Sequence, residues 1–148
     1  MFGTLKLNLF AAVCALAMAL VSHPASAQQK QTMNGWDVHY SAFNSTFLTP
    51  DIAAQYDITR SAKRGVINIS VLDSETNEAL AVPPRGFVSN PRGGVQNLEF
   101  EKITEGDAIY YLASFLFGDQ ELMRFTINLK DDSGNQETLE FEQELYHE

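Results

Sequence analysis

Cysteine is almost missing from this 148-residue chain: its one copy, Cys14, lies inside the apolar run Leu7–Val21. Residues 28–148 therefore have no disulfide and no cysteine nucleophile, and stability must come from packing. A lipoprotein leader would carry its cysteine at the end of the apolar run, so Cys14 in mid-run argues against a lipid anchor. Histidine is scarce as well, with His39 and His147 the two that follow His23. A serine triad would need one of them as base, and no Gly-x-Ser-x-Gly elbow is present. No apolar run is long enough to span a bilayer: Leu7–Val21 falls short of the ~20 residues required, and Pro24 follows it closely.

What that N-terminal stretch does have is Lys6, the apolar run and the ending Ser22-His23-Pro24-Ala25-Ser26-Ala27. This is the pattern of a cleavable secretory leader, residues 1–27, with cleavage after Ala27 and a periplasmic destination. The remainder, Gln28 to Glu148, suits one domain. Gln28–Gly35 is polar and reads as a flexible N-terminus, and residues 36–148 read as a single domain. Basic residues are also short in one half. From Gly93 onward there are three (Lys102, Arg124, Lys130) against thirteen acidic ones. Such a surface repels phosphate backbones and anionic lipid, so neither nucleic acid nor membrane insertion after cleavage is expected.

Alternation predicts strands. Trp36, Val38, Tyr40 and Ala42 fall on one face of a first strand, and Gly65–Leu72 forms a second. Thr49-Pro50-Asp51 supplies an N-cap hydroxyl, a first-turn proline and a carboxylate at the positive end of a short helix over Pro50–Tyr56. Leu80–Val82 runs into Pro83-Pro84, which cannot donate ladder hydrogen bonds, so this piece belongs at a sheet edge. Gly86–Ser89, Val95–Ile103, Ala108–Phe117, Glu121–Lys130 and Gln136–Tyr146 complete about seven or eight strands. The fold class is all-β, an antiparallel two-sheet sandwich. A two-residue turn at Gly118-Asp119 would pair Tyr110 with Ile127 and Leu112 with Phe125. A loop over Asp131–Asn135 would pair Phe125 with Phe141 and Ile127 with Leu139. The core face is then Tyr110, Leu112, Phe125, Ile127, Leu139 and Phe141, leaving Tyr111, Phe115, Phe117 and Leu122 on the other side.

The stretch Glu105-Gly106-Asp107-Ala108-Ile109-Tyr110-Tyr111-Leu112 resembles the sixth strand of immunoglobulin domains, with Tyr110 in the place of the corner tyrosine and Leu112 in that of the second cysteine. The runs VHYSAFNSTFLTPDIAAQYDITRS, GVINISVL, EGDAIYYLA and FEQELYHE are similar to an exported proteobacterial family, the domain of unknown function DUF4426. The resemblance implies a periplasmic immunoglobulin-like domain and no catalytic residues.

Two surfaces merit suspicion. Tyr111, Phe115, Phe117 and Leu122, rimmed by Arg124 and Glu142, suit contact with a periplasmic protein or peptide, unless the helix over Pro50–Tyr56 folds across them. The exposure of Phe115 and Phe117 discriminates. His39, Tyr40 and Asn44 would have to share a concave pocket to make a hydrolase or metal-handling site. No spacing matches a metal motif, and no cofactor or metal is expected. Asn44-Ser45-Thr46 and Asn68-Ile69-Ser70 match the glycosylation sequon, but Asn, Ser and Thr at a strand end more often bind local backbone. The function expected is a non-catalytic binding or interaction module.

Overall fold

The computed structural model describes residues 28–147; the expected leader lies outside them. The chain folds as an immunoglobulin-like antiparallel β-sandwich. Its elements are β1 (Gln29–Met33), β2 (Trp36–Asn44), a 3₁₀ turn over Ser45–Phe47, α1 (Pro50–Gln55), β3 (Arg64–Asp73), β4 (Ala79–Leu80), β5 (Pro84–Ser89), β6 (Val95–Leu98), β7 (Glu101–Glu105), β8 (Ala108–Leu116), β9 (Glu121–Lys130) and β10 (Gln136–Leu145). One sheet runs β1-β2-β3-β8-β7 with β4 added beside β3, and the other runs β10-β9-β5-β6.

Where a flexible N-terminus was expected, β1 pairs along its length with β2. Asn34 and Gly35 both take positive φ, 50° and 83°, as a two-residue type I′ hairpin requires. The dipeptide Asn-Gly was the signal that the polar composition of residues 28–35 concealed. Val95–Ile103 divides in two, because the chain leaves one sheet after Leu98 and enters the other at Glu101. The Leu80–Val82 piece keeps its edge place, with β4 paired to β3 alone, whereas the proline-led strand β5 lies between β9 and β6. Its Pro84 stands at the first position, where a missing amide does least harm.

The β9–β10 register agrees with expectation, pairing Phe125 with Phe141 and Ile127 with Leu139. Strand β8, in contrast, does not pair with β9. It lies in the other sheet beside β3, and the chain crosses between sheets at Phe117–Gln120. Gln120 takes φ 54°, and the Gly118 amide donates to the Glu121 carboxylate. Crossing frees the two strands from a shared register, so the core face of β8 becomes Tyr111, Ala113 and Phe115 rather than Tyr110 and Leu112. The likeness to the immunoglobulin corner fails here, since Leu112 faces away from the core.

Aromatic contacts join the sheets. Phe115 meets Phe125 edge-on with centroids 5.2 Å apart, Phe125 stacks on Phe141 at 4.6 Å, and Phe141 meets Tyr40 at 4.4 Å. Each such pair contributes about 0.5–1.5 kcal/mol beyond its burial.

Two turns are tied by carboxylates. Asp73 accepts from the amides of Thr76 and Glu75, and Asp131 accepts from the Asn135 side chain and the amides of Asn135 and Ser133. These bonds, led by the Thr76 amide for Asp73 and the Asn135 side chain for Asp131, hold both acids below their ordinary value of 3.8. A depressed acid stabilises the fold above its unfolded pKa and loses that contribution as pH falls through the folded one. An Asp73→Ala, Asp131→Ala double variant is expected to melt below wild type at neutral pH. The gap should close as pH drops below about 4; thermal melts across the acid range check this.

Candidate functional site

Strand alternation sorts the suspected residues before any chemistry is considered. Phe115 and Phe117 are 2% and 6% exposed, and Tyr111 is buried with them. The opposing sheet covers these residues; α1 does not reach them. They are core, and the surface proposed for them is lost. Leu122, Arg124 and Glu142 do share the outer face of β9 and β10. There they line a depression of about 480 Å³ with Phe87 and Val95, and Arg124 bonds Glu142 at 2.7 Å.

The polar group separates too. Tyr40 faces the core, where its ring lies on Phe141, while His39 faces the opposite side of β2. Asn44, 2% exposed, spends its whole amide on the chain itself. Its Nδ2 donates to the carbonyls of Ala62 and Tyr146, both at 3.1 Å, and its Oδ1 accepts from the Thr46 amide and hydroxyl at 2.9 and 2.8 Å. Beside it, the Ser45 hydroxyl donates to the Ser61 carbonyl and accepts from the Ser61 amide. These two residues pin both ends of the excursion that carries α1.

That excursion builds a site the sequence did not reveal. A six-residue helix has no stability of its own and must dock. Thr49 caps α1, with its hydroxyl accepting from the Ile52 amide, and Ala53 is buried beneath it. The helix lies over the outer face of the six-stranded sheet, leaving a groove of about 450 Å³. Its floor is Val66 and Asn68 of β3, Tyr110 and Leu112 of β8 and Ile103 of β7. Its walls are Phe43, Leu48, Ile52, Gln55, Tyr56 and Glu105. Ile52 remains 42% exposed at the mouth. The Tyr56 hydroxyl donates to the Glu105 carboxylate, tying the helix end to β7. That bond, with lesser help from desolvation and the Glu105 charge, raises the tyrosine's pKa above its ordinary value. The phenol therefore stays protonated at neutral pH, and the tie is lost only as pH rises through the raised value.

One polar atom in this groove is unanswered. Asn68 Oδ1 is buried and has no hydrogen-bond partner among the described residues. Such orphans are uncommon in folded proteins. Among the described residues no group of three or more His, Cys, Asp or Glu is placed to hold a metal, and no helix is long and apolar enough to cross a membrane.

Residues 30–148 match the profile of the domain of unknown function DUF4426, and the chain belongs to that family. A DUF4426 protein of Pseudomonas aeruginosa is 32% identical, with a TM-score of 0.72 over 82% of this chain and 96% of its own. FetP of uropathogenic Escherichia coli strain F11 is 13% identical, with a TM-score of 0.57 over 81% of this chain and 94% of its own. A copper-bound variant of FetP, also 13% identical, gives 0.56 over 80% and 89%. At that identity FetP shares the fold alone. No curated protein matches the chain.

Proposed function

We propose that this DUF4426 domain is a non-catalytic periplasmic binding module whose ligand enters the groove between α1 and the outer face of the six-stranded sheet. The observation that carries the reading is the groove itself, apolar in most of its lining and open at Ile52. At about 450 Å³ it falls within the roughly 300–1,000 Å³ of small-molecule sites, and it has the expected makeup of many apolar walls with a few polar groups. The periplasmic part is supported by the leader-like residues 1–27 and the lack of cysteine after them. The structurally similar FetP was also produced in the periplasm of Escherichia coli. A hydrolase or metal site near His39 is disfavoured because His39, Tyr40 and Asn44 do not converge. Among the described residues no group of three or more His, Cys, Asp or Glu is placed to hold a metal such as the copper of the FetP variant.

Nile red, an uncharged dye that brightens in apolar surroundings, tests the reading. Wild type should enhance its emission. Leu112→Trp, which places an indole on the groove floor, should abolish most of the enhancement while leaving the far-ultraviolet circular dichroism unchanged. Equal emission from both proteins would remove the groove as the site.

A further inference from the structure

We infer that the groove's occupant is an amphiphile bearing a protonated amine, an inference that rests on the binding reading above. The geometry begins at Asn68. Its cross-strand neighbours are Ser41 on β2 and Leu112 on β8, so its side chain stands in the middle of the outer face. Its Oδ1 is enclosed yet unpaired, and a buried acceptor without a donor is costly to the fold. A ligand that brings a donor removes that cost on binding.

The one charged group in the lining is Glu105, whose Oε1 takes the Tyr56 hydroxyl and whose Oε2 is left for a ligand. The lining has no lysine, arginine or histidine. Two basic residues approach the same face from outside the groove. Arg64 lies further along β3 and donates to the Ser114 hydroxyl at 3.4 Å, and His39 lies on β2 beyond Ser41. The lining's one charged group, the Glu105 carboxylate, and its one buried unpaired atom, Asn68 Oδ1, are thus both acceptors, while Gln55, Tyr110 and Asn68 Nδ2 add neutral polar groups but no positive charge. A carboxylate head would meet two acceptors and like charge. An ammonium head offers three donors and no acceptor, and its bond to a carboxylate is charge-assisted. The apolar tail has Leu112, Ile103 and Ile52 to lie against.

Calorimetric titration of the purified protein with three eight-carbon amphiphiles at neutral pH tests this. They are octylammonium, octyltrimethylammonium, which keeps the charge but has no N–H, and octanoate. Octylammonium should bind about tenfold or more tightly than octanoate, the ratio expected when a charged hydrogen bond is gained rather than opposed. Octyltrimethylammonium should fall between them. Asn68→Leu and Glu105→Gln should each weaken octylammonium by roughly fivefold to tenfold, whereas octanoate, relieved of an opposing acceptor or charge, should bind no more weakly than to wild type. Asn68→Leu removes an unpaired atom, so it should fold at least as well as wild type. Octanoate binding as tightly as octylammonium, or both variants behaving as wild type, overturns the amine inference while Nile red binding preserves the groove. If no amphiphile binds and Nile red stays dark, both readings fall.

Discussion

Phe115→Ala is expected to cost about 3–5 kcal/mol of folding stability, the range for emptying a buried phenylalanine site. The ring sits between the sheets, edge-on to Phe125 and 6.3 Å from Phe117, with no solvent side. It also lies over Gly65, its partner on β3, where any Cβ would run into the ring. Truncation therefore leaves a cavity bordered by glycine, which has no side chain to lean into it. Urea titration followed by tryptophan emission measures the loss. A change within about 0.5 kcal/mol, the usual effect of a surface substitution, would mean that Phe115 is not core and would restore it to the list of contact residues.

Asn44→Ala should be nearly as severe, at about 2–4 kcal/mol, since buried acceptors and donors left unpaired are penalised beyond the bonds removed. The carbonyls of Ala62 and Tyr146 and the amide of Thr46 all lose their partner. Asn44→Asp keeps the acceptor for Thr46 and loses both donated bonds, so it should be destabilised as well. Because Asn44 anchors the excursion bearing α1, the alanine variant should also bind Nile red more weakly under conditions where it is still folded. A variant with wild-type stability would show that the amide's four bonds contribute nothing to the joint.

What could be read from the residues followed from how cleanly each face was partnered. On β2, Trp36, Val38, Tyr40 and Ala42 face the core as alternation predicts, because most of the opposite face is polar. The β9–β10 register was legible because Glu140 and Glu142 mark the solvent side of β10 without ambiguity. Strand β8 has no such marker. Tyr110 and Leu112 are half-covered beside α1 while Tyr111 and Phe115 are covered by the other sheet, so both faces are apolar and alternation cannot rank them. The groove was illegible for the same reason. It depends on where a six-residue helix docks, and that is decided by Asn44 and Ser45 bonding residues 16 to 102 positions away. The cap at Thr49-Pro50-Asp51 announced the helix but not the face it would cover.

Strand β10 gives the acidic second half of the chain a specific address. It is hydrogen-bonded to β9 on one side, and its other side ends the sheet, where every second one of its ten residues has its amide and carbonyl without a strand partner. An open edge of that length is a template on which a second molecule could extend the sheet, the first step toward a fibre. Glu140, Glu142 and Glu144 line its solvent face. Antiparallel docking of two such strands near their centres that keeps Leu139 and Leu145 on the covered side sets glutamate opposite glutamate, and like charges facing each other across strands disfavour pairing. Residues 28–147 hold no cysteine and so no covalent brake on misassembly, and this row of carboxylates serves as an electrostatic one.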